Sequence, residues 1–113
     1  ATSGTQVTLT LVNPGPGLSN YITMLAVWGF ASGIPTAATP TAATMTGING
    51  TSPKLLPLAS VYPAAGAQGS VSGGFVPLTT PIKCATNTAC AVVGPTAITN
   101  MTQEAYACYY AAN

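Results

Sequence analysis

Histidine, aspartate and arginine are missing from this chain, and its only charged side chains are Lys54, Lys83 and Glu104. These absences remove most enzyme chemistry before any fold is considered. A Ser–His–Asp or Cys–His arrangement cannot be built without histidine. One glutamate cannot supply the carboxylate pair of a glycoside hydrolase. A lysine–serine arrangement is what remains, and no motif places a serine beside Lys54 or Lys83. Hard cations want several anionic oxygens, and the spacing of Cys84, Cys90 and Cys108 follows no zinc pattern. The expectation is a protein without catalysis, metal or cofactor.

The same scarcity limits its partners. Two lysines give no electrostatic footprint for nucleic acid, nor a polybasic patch for a membrane surface. The longest apolar stretch, Tyr21 to Ile34, is interrupted by Thr23, Gly29, Ser32 and Gly33. It falls short of the roughly 18–20 apolar residues that a spanning helix needs. No basic-plus-apolar signal pattern opens the chain. Charged residues make up 3% of the chain, where about 25% is usual in soluble domains. A surface near zero net charge, wetted only by Ser, Thr, Asn and Gln, tends to associate. We therefore expect much of it to be shared with neighbours.

What is present favours strands. Apolar residues make up 48% of the 113, enough for one core and one domain spanning residues 1–113. Residues 1–5 are a candidate N-terminal arm. Twelve glycines and ten prolines leave few windows of helical length. Gln6 to Val12 alternates, with Val7, Leu9 and Leu11 on one face and Thr8 and Thr10 on the other. Asn13-Pro14-Gly15-Pro16-Gly17 then breaks the chain. Ser19 to Phe30 is the strongest strand. Strict alternation puts Ile22, Met24, Ala26, Trp28 and Phe30 on one face and Tyr21, Leu25 and Val27 on the other, so both faces are expected to be covered.

A Pro/Ala/Thr loop follows at Ala31 to Thr41. Asn49-Gly50 between Ala42–Ile48 and Lys54–Tyr62 is a hairpin signal, and Pro53 and Pro57 make the second arm an edge strand or extended loop. Pro63-Ala64-Ala65-Gly66 turns into a Gly/Ser-rich strand, Gln68 to Val76. Ala89 to Val93 is a short strand, and Gln103 to Ala111 closes the chain with Glu104, Tyr106, Cys108 and Tyr110 on one face. Seven to eight short strands with little or no helix predict an all-β antiparallel sandwich, jelly-roll-like in type.

Cys84 and Cys90 enclose only Ala-Thr-Asn-Thr-Ala. A bridge between them would close a hairpin or pin a turn, with a loop-closure gain of about 2–3 kcal/mol. The alternative is three buried thiols acting as small hydrophobes; Cys108 in particular reads as a core thiol. Asn49-Gly-Thr51 and Asn100-Met-Thr102 are glycosylation sequons, but a chain this rich in Ser and Thr yields such triplets by chance. Plain core packing is expected to take most of the aromatic residues. Tyr109 and Tyr110 must point to opposite faces of a strand, so they join Tyr21 and Trp28 as candidate subunit-interface aromatics.

Three segments carry a resemblance through their order. They are Gly17-Leu18-Ser19-Asn20-Tyr21-Ile22-Thr23; Pro63-Ala64-Ala65-Gly66 followed by Phe75-Val76-Pro77-Leu78; and Asn87-Thr88-Ala89 before a short apolar strand and a terminal strand with Tyr106 and Tyr110. In this the chain resembles the small β-sandwich or jelly-roll head-decoration (cement) proteins of tailed bacteriophages. The long loop at 31–41, the near-absence of charge and the Cys84/Cys90 pair depart from that pattern. The resemblance implies a homotrimer on the outer capsid surface of a virion, bound to the major capsid protein and stabilising the shell. Low charge and Thr/Ala richness would also suit a subunit of an extracellular filament or surface layer. A host- or carbohydrate-binding spike domain would need an exposed aromatic platform beside polar side chains.

Overall fold

The computed structural model describes residues 4–31, 42–48, 54–59, 71–96 and 99–113, with only the backbone described at 54–59 and 71–73. The Pro/Ala/Thr loop beyond Ala31, the Asn49-Gly50 turn and the Pro63–Gly66 turn lie outside these residues. Seven strands and no helix are present among them: β1 (Thr8–Thr10), β2 (Ser19–Ala31), β3 (Ala42–Thr46), β4 (Lys54–Ala59), β5 (Val71–Lys83), β6 (Ala91–Val93) and β7 (Met101–Ala112). They form two antiparallel sheets, one ordered β1-β6-β3-β4 and the other β5-β2-β7.

Alternation explains the four-stranded sheet. Leu9, Val92 and Met45 lie side by side across β1, β6 and β3, and all three turn toward the other sheet. Their neighbours form two outward rows, Thr8–Val93–Thr44 and Thr10–Ala91–Thr46. β4 pairs with β3 as the second arm of the expected hairpin and lies at the sheet edge. Its register slips between Ala42↔Ala59 and Thr44↔Leu55, around Pro57, which has no N–H for the ladder.

The two sheets close on Leu11, Ile22, Leu25, Val27, Ala43, Met45, Ile48, Val92 and the Cys84 and Cys90 side chains. Among the described residues, not one aromatic side chain is in the buried core. The expectation that core packing takes most aromatics is thus overturned. Aliphatic and sulfur side chains fill the gap, and the rings are turned outward.

Three expectations about strands also need correction. First, β2 does not alternate strictly. Its pairing with both β5 and β7 shifts between Ile22 and Met24, a bulge at Thr23 whose hydroxyl donates to the Cys108 carbonyl at 3.1 Å. One extra residue reverses the facing of everything before it. Ile22 therefore joins Leu25 and Val27 in the core, while Tyr21 joins Met24, Ala26, Trp28 and Phe30 outside. Second, the outer face of β2 is only partly covered, since Trp28 and Phe30 are each 39% exposed. Third, β5 does not stop at Val76. It runs on to Lys83 as an edge strand, with prolines at 77 and 81, and carries a wide bulge between Pro77 and Ile82.

Five of the six successive strand-to-strand connections pass from one sheet to the other, the β3–β4 hairpin being the exception. The disulfide loop is one of these crossings. β5 ends at Lys83, Cys84 and Cys90 are bridged with Cα atoms 6.1 Å apart, and β6 begins at Ala91 in the opposite sheet. Around the bridge, Cys84 N–H donates to the Asn20 carbonyl, Leu11 N–H to the Cys90 carbonyl and Ala85 N–H to the Gly47 carbonyl. Asn20, itself buried, sends Nδ2 to the Val12 carbonyl at 2.8 Å.

A second lock joins the sheets elsewhere. Gln103 on β7 is 2% exposed. Its Oε1 accepts from Val7 N–H at 3.0 Å, and its Nε2 donates to the Pro95 carbonyl at 2.9 Å. Gln6 Nε2 and Val7 in turn hold Gly94 through its carbonyl and N–H. Of the candidate arm, Gly4 donates its N–H to the Met101 carbonyl at 2.8 Å.

Candidate functional site

The open face of the β5-β2-β7 sheet follows from its register. Outward rows run across the three strands in the order β5, β2, β7: Lys83–Tyr21–Tyr110, then Pro77–Met24–Cys108, then Phe75–Ala26–Tyr106, then Gly73–Trp28–Glu104. Phe30 and Thr102 continue the last row's neighbours on β2 and β7. This places six aromatic rings on one face of one sheet.

The middle of that face is ring-covered. Phe75 is 61% exposed and Tyr106 is 59% exposed, yet Ala26 between them is buried. The small Ala26 side chain is covered by its larger neighbours, and the two flanking rings form the outer surface of this row. At one end Tyr21 and Tyr110 stack, with centroids 5.3 Å apart and planes 7° from parallel. The Lys83 ammonium lies 5.7 Å from the Tyr21 ring centre, held over the face by the negative π-cloud. At the other end stands Glu104, exposed beside Trp28.

On the outer face of the other sheet, β1, β6 and β3 present Thr8, Thr10, Thr44 and Thr46 around Ala91 and Val93, with no ring among these three strands. Those three strands carry hydroxyls where the β5-β2-β7 face carries rings.

Of the expected interface aromatics, the structure brings Tyr21, Trp28 and Tyr110 together on the open face. Tyr109 falls on the other side of β7, opposite Ile22, and is exposed there. Cys108 is not a core thiol; it is half-buried on the open face beside Met24. Phe30, Phe75 and Tyr106 complete the face. The sequence signal that would have found them is the pairing of Phe75 and Tyr106 to the same small residue, which no single-strand pattern reveals. Asn100 adopts a left-handed backbone (φ 63°) just before β7, and Asn49 lies outside the described residues.

Among the described residues no three His, Cys, Asp or Glu side chains come together as a metal site. No helix among them is long and apolar enough to cross a membrane. No known protein family matches the chain, and neither a curated protein nor a solved structure is similar to it.

Proposed function

We propose that this chain is a structural, non-enzymatic subunit of a larger assembly, and specifically that it decorates the outside of a virus capsid as a jelly-roll-like cement protein. The observation that supports the reading is the aromatic outer face of the β5-β2-β7 sheet in a chain with three charged side chains. Contiguous exposed apolar patches of more than a few hundred Å² mark interaction surfaces in soluble proteins. Two dissimilar outer faces suit a subunit that must meet both its own kind and a shell. A capsid full of genome is under internal pressure. A subunit that bridges neighbouring pieces of major capsid protein adds interface that must be broken before the shell opens. Copies gathered as a homotrimer would suit local three-fold positions.

The test is fractionation by density of a preparation that contains the chain. The expected result is the chain in particle bands at fixed stoichiometry, with shells that open at lower temperature once it is stripped. Recovery in open-ended polymers would sink the capsid reading and favour the extracellular filament or surface layer.

A second reading draws on the same face. An aromatic face with Glu104 at one end also suits a neutral glycan, through stacking on Trp28, Phe75 and Tyr106. It requires the face to be free in solution, and perturbation of the Trp28 fluorescence by oligosaccharides would support it.

A further inference from the structure

We infer that the open face of the β5-β2-β7 sheet is closed by a second copy of this chain, packed face to face across a two-fold axis, with Lys83 of each copy opposite Glu104 of the other. The inference rests on the reading of this face as an assembly surface, not on the capsid.

Area comes first. Eight ladder steps, from the Tyr21–Tyr110 pair to the Phe30–Thr102 pair, along three strands make a patch of about 27 Å by about 14 Å, on the order of 400 Å² in plan before side-chain relief is counted. A specific interface needs about 500 Å² of accessible surface per partner and a standard one about 800 Å². The exposed rings of Phe75, Tyr106, Trp28 and Phe30 add relief to that plan area. Two sheets packed face to face sit about 10 Å apart, a gap that opposed rings fill by interdigitation.

Charge layout then selects the partner. The face carries two charged residues of opposite sign, Lys83 and Glu104, both exposed. They lie on opposite edge strands, β5 and β7, and in different rows, those of Tyr21 and Trp28. A partner must therefore present an acid where this face has Lys83 and a base where it has Glu104. This chain meets that demand itself. A two-fold axis lying between the sheets, perpendicular to the line from Lys83 to Glu104, sets each against its complement in the other copy. Such an isologous contact closes on itself. A three-fold ring uses two different patches per copy, so a trimer would be built from other surfaces of the sandwich.

The same axis makes a prediction about the free thiol. Cys108 is four residues from Glu104 along β7, about 14 Å at strand rise. From Lys83 it is two strands across and about two residues along, about 12 Å. A point nearly equidistant from two positions exchanged by a two-fold axis lies close to that axis. The Cys108 thiols of the two copies therefore meet near the centre of the interface.

The experiment combines sedimentation equilibrium with thiol cross-linking on the full chain. The wild type is expected to be dimeric at micromolar concentration, and a short bismaleimide to join two chains through Cys108. Cys108→Ser abolishes the cross-link. Moving the thiol across the strand, in Cys108→Ser with Tyr109→Cys, lowers its yield at least tenfold. Lys83→Glu or Glu104→Lys alone raises the dimer dissociation constant tenfold or more, and the two together restore it. Circular dichroism confirms that each variant remains folded. A monomer at all concentrations, equal cross-linking from position 109, or a double charge swap that fails to restore pairing overturns the inference. Failure of the particle fractionation leaves it untouched, because the pair is read in solution.

Discussion

Gly94 and Gln103 touch so closely that a Cβ added to Gly94 would stand 2.6 Å from Gln103 Oε1. That oxygen is also the acceptor for Val7 N–H. The amide is a lock between sheets, and glycine at 94 is the shape that lets it seat. With the disulfide it holds together two sheets joined mostly by crossing connections.

Replacing Gln103 by leucine keeps the volume and removes both polar ends. Val7 N–H and the Pro95 carbonyl then lose a partner in or near the core. Each unsatisfied buried group costs about 1–3 kcal/mol. We expect Gln103→Leu to lower unfolding free energy by about 2–4 kcal/mol, read as a lower urea midpoint at unchanged slope.

Gly94→Ala attacks the same lock from the other side. Its methyl would also lie 2.7 Å from Val7 Cγ1, and overpacking of this kind costs about 1–3 kcal/mol. Because the clash is with the Gln103 amide, the two changes should not add. In the double variant with Gln103→Ala, the loss is expected to fall short of the sum by about 1 kcal/mol or more. Strict additivity in a double-mutant cycle would show that the lock is not a unit.

The Cys84–Cys90 bridge sits on a crossing between sheets with both side chains fully buried. Substitution of both by alanine is expected to cost about 2–3 kcal/mol from loop closure, and more through the cavities left in the core. Burial also predicts kinetics. Reductant should open the bridge at the rate of unfolding, so thiol labelling of the native chain should modify Cys108 alone for hours. Rapid labelling at three positions would contradict this placement.

Much of the sandwich was legible in the sequence because it follows local rules. Val7, Leu9 and Leu11 alternate, Asn49-Gly50 lies between two paired arms, and Pro57 marks an edge. The misreadings come from non-local causes. Thr23 looks like any strand residue, and its role as a bulge depends on its pairing with β7. The strand from Gln68 was expected to end at Val76, yet an edge strand tolerates the prolines at 77 and 81. The candidate site depended most on such effects. Phe75 and Tyr106 are separated by thirty residues of chain and become neighbours only by pairing with Ala26 from either side. Gln103 carried no signal, since nothing local shows that its amide will be buried.

Gly47 and Gly17 share a left-handed backbone, each with φ 74°, and should respond very differently to alanine. Around Gly17 a Cβ meets nothing within 4 Å, so Gly17→Ala pays only the conformational cost of about 1–2 kcal/mol. A Cβ at Gly47 would lie 2.9 Å from the Cys90 Cα. That backbone is held by the disulfide and by the hydrogen bond from Leu11. Gly47→Ala is therefore expected to cost about 3 kcal/mol or more, a gap that thermal unfolding resolves.

The bulge at Thr23 yields the sharpest contrast between two changes at one position. Thr23→Ala keeps the residue count and loses only the hydroxyl's bond to the Cys108 carbonyl, a cost of about 1 kcal/mol. Deleting Thr23 removes the extra residue itself. Either Ser19 to Ile22 turn over, exposing Ile22 and driving Tyr21 inward, or their pairing with Lys83 and Tyr110 shears. Exposing Ile22 alone forfeits about 2–3 kcal/mol, and the larger Tyr21 ring would have to enter the buried cluster that holds Leu11 and Cys84. The deletion also takes Tyr21 out of the stack with Tyr110 and away from Lys83. The expected outcome is a folded Thr23→Ala variant that still self-associates, and a deletion variant that is unfolded or monomeric by sedimentation. A deletion variant with wild-type stability and association would mean that the facing of Tyr21 is not set by this bulge.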